Sequence, residues 1–328
     1  MVQKSQPHVT ISILNLNGKE MTKDCVKSII SLTNYENFDI VIVDNGSSDG
    51  SVPEIKSEFP ELEIIENETN EGFSKANNRV MVRSLERQSD YTLLLNNDTQ
   101  IIQEGWLAKL VEIGESRGDI GIVGCRVLDP EGDVNFDGRY FPIQNLPLIR
   151  NYEYNIYQEN ETKEFDFEFV DEVIGAVFLI KRELIENIGF LDEKYSPAYG
   201  EETDYCIRAW DAGYRVAYSP IAFVEHNPNQ TSMKLGEEYI RYIKIRNNIR
   251  LILTSYPISW IVMCTPYILS SLSEFFLYRD YEKIKLRHPI VSKAKFKYVI
   301  KIFVDIYLER GDILTKRRER RDVRELLK

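Results

Sequence analysis

Over most of the first 235 residues, short apolar runs alternate with stretches whose apolar positions recur at helical spacing. Val9 to Leu16, Asp39 to Asp44 and Leu62 to Glu66 read as strands, with helices near Lys19 to Ser31 and Ser51 to Phe59 between them, which makes a βαβαβ beginning. A helix near Phe73 to Arg87 leads to Tyr91–Leu95 (YTLLL), a run too apolar and too short for anything but a buried strand. A helix over Glu104 to Ser116 and a strand over Gly121 to Asp129 follow. Right-handed crossovers then predict an α/β fold, a doubly wound and mainly parallel sheet with helices on both faces. Between Pro130 and Phe169 the pattern breaks into aromatic, acidic and proline-containing sequence, too long for a plain connection, which predicts hairpins or a mobile loop. Order resumes with the strand-like run Val173 to Ile180, a helix opening at Glu201, the strand-like Ala217 to Glu225, and a helical stretch holding Arg246 and Asn247.

Hydrophobic residues fill 43% of the 328 positions, an ordinary fraction for a globular core. The four cysteines lie far apart with no Cys-x-x-Cys pair, and the three histidines are few, which argues against a disulfide framework and a thiolate zinc site. The residues ahead of the first strand lack a signal-peptide pattern, and a cytoplasmic location is expected. The net charge of −11 hides a division: residues 1–235 carry 21 Lys and Arg against 41 Asp and Glu, and residues 236–328 carry 20 against 11. The acidic body argues against nucleic acid as a partner, whereas the basic end suits peripheral contact with an anionic membrane face, or simple attraction between the halves. Leu251 to Ser273 holds no charge over 23 residues, yet contains Pro257, Pro266 and seven Ser or Thr. Two short helices at a membrane interface or packed on the domain are expected there rather than one spanning helix. The alternative is a helical appendage that forms a homodimer. The boundary between a catalytic domain and a helical, basic extension is placed at 235/236.

Candidate chemistry sits where strands end. Asn96, Asn97 and Asp98 close the Tyr91 strand, at the carboxyl end where open parallel sheets bind ligands. Oxygen donors there suit Mg²⁺ or Mn²⁺ bridging a diphosphate, and His226 is the candidate second ligand, with a structural hydrogen-bonding role as the alternative. Asn15 closes the first strand and Asp44 the second, before the turn that begins at Asn45. Asp44 either accepts hydrogen bonds from a nucleobase or ribose, or caps and turns together with Asp49. Gly72 opens a helix with Lys75 and Asn77 in its first turns, where backbone N–H groups and an ammonium could meet phosphate. Glu201, Glu202 and Asp204 load another helix start, a favourable placement whatever the function, and Asp204 and Arg208 have the spacing of an ion pair. A carboxylate partly removed from water beside a second one has a raised proton affinity, which suits general-base work on a hydroxyl. Gly175 and Ala176 either floor an acceptor site or serve core packing, and Arg246 either closes over a diphosphate or makes surface salt bridges.

The segments VIVDNGSSDGS, NEGFSKANN, LLLNNDT, VIGAVFLIKREL, GEETDYCIRAWDAG and IRNNIRL occur in an order that resembles the family 2 glycosyltransferases, in particular rhamnosyltransferase-like members, over roughly Val9 to Leu253. That resemblance implies a GT-A fold with acceptor-side elements from about residue 130, an inverting mechanism, and a nucleoside-diphosphate sugar donor such as dTDP-rhamnose or a UDP-sugar. The acceptor would be a glycan or a lipid-linked molecule. Carried over by position, Asp44 would contact the base, Asp98 would hold metal and diphosphate, His226 would match a late histidine, and Glu202 would stand where the family has an aspartate base. Two departures stand out: Asn96 replaces the first aspartate of an Asp-x-Asp motif, and Glu202 is longer by one methylene than the usual aspartate. A sugar nucleotidyltransferase and a non-catalytic nucleotide- or glycan-binding module are the alternative readings.

Overall fold

A computed structural model describes residues 6–138, 167–227, 236–256 and 293–326, together with 261, 265, 269 and 272. The chain divides into two compact units, residues 1–140 with 153–231 and residues 141–152 with 232–328.

The first unit opens with β1 (Val9–Asn15), α1 (Lys19–Leu32), β2 (Phe38–Asp44), α2 (Ser51–Glu58), β3 (Glu63–Glu66), α3 (Phe73–Glu86) and β4 (Tyr91–Asn96). Strands β3, β2, β1 and β4 lie side by side in that order, all parallel. Strand alternation sorts their side chains between two faces. Val9, Ile11, Ile13, Ile40 and Ile42 enter one core with Cys25, Val26 and Ile29 of α1 and Ile55 of α2. Val41 and Val43 instead meet Ala76 and Val80 of α3. Thr10 and Ser12 are buried in the central strand because each has a partner: the Ser12 hydroxyl donates to Asn77 Oδ1 at 2.9 Å, and the Thr10 hydroxyl donates to Asp39 Oδ1 at 2.9 Å.

The rest of the sheet is made by β5 (Thr99–Gln100), β6 (Ile120–Leu128), β7 (Val134–Phe136), β8 (Glu168–Val170), β9 (Val177–Lys181) and β10 (Arg215–His226), with α4 (Trp106–Ser116), α5 (Arg182–Ile188) and α6 (Glu201–Asp211) between them. The order continues β4-β9-β6-β10-β5, with β7 on β6 and β8 on β10. Strand β10 is parallel to β6, so most paired residues of the sheet are in parallel register, while β9 runs antiparallel to both of its neighbours. Its pairing of Leu95 with Val177 sets the start of β9 beside the end of β4. The ordered strand begins at Val177 and not at Val173; Gly175 precedes it, for a reason the site makes plain. In β10 the register against β6 slips between Ser219 and Phe223, a stretch that contains Pro220, whose missing N–H suits such an interruption. Beyond it the strand turns to pair with β5, His226 against Thr99. Where hairpins or a mobile loop were expected between 130 and 169, β7 folds back antiparallel on β6 and β8 pairs with the distant β10, and residues 139–166 lie outside the described residues.

The second unit contains α7 (Glu237–Ser255), α8 (Lys293–Leu308) and α9 (Arg310–Leu326). Arg250 of α7 is fully buried and pairs with Glu309 Oε2 at 2.7 Å and with Asp312 Oδ2 at 2.5 Å. Arg317 donates to the carbonyls of Leu253 and Tyr256 at 2.9 and 2.8 Å, closing the carboxyl end of α7 with a cation. Most of the uncharged run from Leu251 to Ser273 lies outside the described residues, and no described helix is long and apolar enough to cross a membrane.

Candidate active site

The parallel strands deliver Asn15, Asp44 and Asn96 to one edge of the sheet because their registers coincide: Asn15 is level with Asp44, and Leu14 with Asn96. Asn15 Nδ2 donates to Asp44 Oδ1 at 2.7 Å, and the Ser47 amide donates to Asp44 Oδ2 at 2.9 Å. Asn15 Oδ1 accepts from the Gly18 amide at 3.2 Å and from the Thr22 hydroxyl at 2.8 Å, and Asn97 Nδ2 donates to that same hydroxyl at 3.0 Å. Thr22 and Gly18 were not among the expected site residues. A β-carbon at Gly18 would lie 2.7 Å from Asn97 Nδ2, so the glycine between strand and helix is the signal that could have revealed this junction. Asn45 is held within the protein on both sides of its amide. Its Oδ1 accepts from Asn67 Nδ2 at 3.0 Å and from the Glu71 amide at 2.9 Å, and its Nδ2 donates to Asn70 Oδ1 at 2.9 Å.

The expected phosphate cradle at Gly72 and Lys75 is engaged by other groups. Gly72 has φ +83°, and its successor Phe73 donates its amide to the Pro197 carbonyl at 2.7 Å, so the first N–H of α3 faces the loop before α6. Lys75 pairs with Glu71 Oε1 at 2.8 Å, one helical turn away, and Arg79 reaches Glu71 Oε2 at 2.8 Å. Hydrogen bonding from Lys75, reinforced by Arg79, holds the Glu71 carboxyl below the usual range. Arg246 belongs to α7 of the second unit, where its guanidinium donates to Asn247 Oδ1 at 2.9 and 2.7 Å.

Asp98 and His226, 128 positions apart in the chain, come together because β10 pairs with β5 immediately after Asp98. Asp98 Oδ1 lies 3.0 Å from His226 Nε2, and the two side chains are 12% and 8% exposed. Despite that distance, Asp98 Oδ1 lacks a hydrogen bond among the described residues, and so does His226 Nδ1. A close approach without hydrogen-bond alignment fits two ligands aimed at a shared centre. No group of three or more His, Cys, Asp or Glu that could hold a metal occurs among the described residues. Asp98 and His226 are the described residues that would hold a cation here.

The second carboxylate group reaches the same edge through β9. The Asn96 amide donates to the Ala176 carbonyl at 3.2 Å, which ties the end of β4 to the turn before β9. Glu202 fills the space beside that turn: a β-carbon built on Gly175 would stand 2.6 Å from its Oε1 and 2.9 Å from its Cγ. Gly175 thus leaves the room in which the Glu202 carboxylate sits. Its neighbour Glu201 is buried, and Oε2 makes no hydrogen bond among the described residues. Burial first, and then the charge of Glu202, push the Glu201 carboxyl well above the usual carboxylate range. Asp204 is turned elsewhere: Oδ2 accepts from Arg208 Nε at 2.9 Å and Oδ1 from the Tyr195 hydroxyl at 3.3 Å, with the carboxylate almost wholly buried. Nearby, the Thr203 hydroxyl donates to Glu172 Oε1 at 3.0 Å, joining the helix start to the acidic approach of β9.

Known proteins resemble the chain in fold and in sequence. A mannosyltransferase of Pyrobaculum calidifontis, solved in complex with GDP-Man and Mn²⁺, superposes with a TM-score of 0.55 at 14% identity, covering 94% of this chain and 76% of its own. That likeness is one of fold, the GT-A architecture. A low-salt glycan biosynthesis hexosyltransferase of Haloferax volcanii is 26% identical over 249 residues, 73% of either chain. An N-acetylglucosaminyl-diphospho-decaprenol L-rhamnosyltransferase of Mycobacterium tuberculosis is 25% identical over 215 residues, 60% of this chain and 69% of its own. Two other curated relatives are far longer, and the matched region spans only 24% and 17% of their lengths. Residues 10–189, more than half of the chain, match the model of glycosyl transferase family 2, and the protein belongs to that family.

Proposed function

We propose that this family 2 glycosyltransferase moves a sugar from a nucleoside diphosphate, dTDP-rhamnose or a UDP-sugar, to a hydroxyl of a glycan or lipid-linked acceptor with inversion. The observation that carries the reading is the Gly175 gap. It holds the Glu202 carboxylate beside the turn that Asn96 ties to β4, two residues before Asp98.

In a single displacement the acceptor hydroxyl gives its proton to Glu202 as its oxygen bonds to the anomeric carbon. The bond from that carbon to the diphosphate oxygen breaks, and its electron pair leaves with the nucleoside diphosphate. Burial and the neighbouring Glu202 charge raise the Glu201 carboxyl, which favours its holding a proton beside Glu202. Asp44 and Asn15 brace the nucleotide edge, Asn45 holds the 67–72 segment against it, and Asp204 fixes the start of α6 through Arg208 and Tyr195. Asp98 and His226 would hold Mg²⁺ or Mn²⁺, which when bound would neutralise charge on the departing diphosphate. Asn96 in place of a second carboxylate makes that hold weaker. Asn97, held by Thr22 at the same edge, belongs to the reading as a group near the donor phosphates, whereas Gly72 and Lys75 are engaged by Pro197 and Glu71. A cytoplasmic site of action with peripheral membrane contact completes it, with a homodimer formed by the helical extension as the alternative; the basic residues of 236–328 support the membrane contact.

The test is Glu202→Gln, with turnover of dTDP- and UDP-sugars followed beside calorimetric binding of dTDP, UDP and GDP in Mn²⁺, Mg²⁺ and EDTA. Turnover should fall by about 10²–10⁴-fold, the usual worth of a general base, while nucleotide binding persists and weakens in EDTA. Unchanged turnover removes Glu202 as the base; binding indifferent to EDTA removes the metal from the donor complex; no nucleotide binding at all favours a non-catalytic module.

A further inference from the structure

The second unit carries a face that the chemistry above does not use. Helix α8 exposes Ile300, Phe303, Val304, Tyr307 and Leu308, residues spaced as one continuous stripe of a helix. Phe303, Tyr307 and Leu308 are 58, 62 and 70% exposed, values foreign to a packed surface. The stripe runs on past the end of α8, because Glu309 and Ile313 donate their amides to the Asp305 and Glu309 carbonyls at 3.0 Å, and Leu314 of α9 is exposed as well.

Charge is sorted around this stripe. Residues 297–318 contain three acids, and all three are bonded to side chains of α7: Asp305 accepts from the Tyr242 hydroxyl, and Glu309 and Asp312 pair with Arg250. Lys301 pairs with Asp305 at 3.1 Å and lies over the Tyr242 ring, whereas Lys297, Arg310 and Arg318 are exposed, with the Arg310 guanidinium 4.0 Å from the centre of the Tyr307 ring. Glu319 is the first acid beyond them. Folding therefore turns a mixed-charge sequence into an apolar stripe with cationic flanks.

We infer that the outer face of α8 and the start of α9 lies on an anionic lipid bilayer, its long axis parallel to the surface, with Phe303, Tyr307 and Leu308 entering the headgroup boundary and Lys297, Arg310 and Arg318 facing acidic lipid. Charge selects this occupant over a second copy, since two such faces would bring like cations together, whereas acidic headgroups complement them. The inference deepens the proposed peripheral contact and rests on that part of the reading alone; its readout is vesicle binding and not sugar transfer.

Flotation of the full chain with phosphatidylcholine vesicles, with and without about 30 mol % phosphatidylglycerol, tests it at low salt and in about 0.5 M NaCl, where the Debye length shrinks to a few ångströms. Partitioning onto acidic vesicles should exceed that onto neutral ones at least tenfold and fall severalfold in salt. The double variant Phe303→Ser/Leu308→Ser should lose at least tenfold, with unaltered thermal unfolding and nucleotide binding because both side chains are exposed. A second variant, Lys297→Glu/Arg318→Glu, should abolish the preference for acidic lipid. Equal binding to neutral vesicles, wild-type binding by the serine variant, or a solution dimer that the serine variant dissociates in the absence of vesicle binding would each overturn the proposal.

Discussion

Gly175→Ala separates geometry from stability at the heart of the site. A β-carbon there would stand 2.6 Å from Glu202 Oε1 where ordinary contact begins at 3.4 Å, so the carboxylate must withdraw by about 0.8 Å. The backbone at this position is not left-handed, and the atoms in the way end a flexible side chain. The cost to folding is therefore small, offset in part by the roughly 0.4–1 kcal/mol gained when glycine's freedom is removed from the unfolded chain. Unfolding should shift by no more than about 4 °C. A displacement near 1 Å at a reacting group costs on the order of 10²-fold in rate, so kcat should fall about a hundredfold with donor KM nearly unchanged. Glu202→Asp shortens the base by one methylene, and in the Gly175→Ala background it should cost at least about fivefold less than in the parent, a coupling near 1 kcal/mol. Steady-state kinetics on the four proteins of that cycle, with melting curves, decide the matter. Wild-type kcat in Gly175→Ala, or strictly additive losses, would mean that the Glu202 carboxylate does not work from this position.

Two further outcomes follow from the same helix start. Burial raises the Glu201 carboxyl, so the folded state keeps its proton after the unfolded chain has lost it near pH 4.3, and stability declines as pH rises from there to the folded pKa. Glu201→Gln has no proton to lose, and its melting temperature relative to the parent should climb as pH rises above about 4.5; a gap that stays constant as pH rises contradicts the assignment. Asp204→Ala should cost about 1.5–3 kcal/mol, the worth of a charged hydrogen bond, because Arg208 keeps the Ile188 and Phe190 carbonyls as partners, and the folded fraction should retain most of its kcat, as measured by denaturant melts and active-site-normalised rates. A loss of kcat at unchanged stability would instead put Asp204 in the chemistry.

Much of the first unit was legible because its elements are local. The strands ending at Asn15, Asp44 and Asn96 and the helices between them follow from periodicity alone, and parallel register then brings their polar ends to one edge. The pairing of Asp204 with Arg208 was equally visible, since four residues make one helical turn. The sequence also named Asp98, His226, Glu202 and Gly175.

It did not contain their meeting. The direction of β9 is decided by which neighbours its backbone can pair with across the sheet, and a run such as VFLIK reads the same in either sense. Only the antiparallel choice lays the start of β9, and Gly175 just before it, beside the end of β4. The slip in β10 after Ser219 likewise redirects a strand by tertiary pairing, and without it His226 would not come level with Thr99. Lys75 illustrates the converse: its position at a helix start suggested phosphate, and a glutamate one turn earlier took the charge. The apolar stripe on α8 was present in the sequence as spacing, but a stripe on a helix is ordinarily core. Packing α7 against the acidic side of α8 and α9, through Tyr242 and Arg250, is what left the stripe outside, because buried charges hold their partners and so choose which face turns inward.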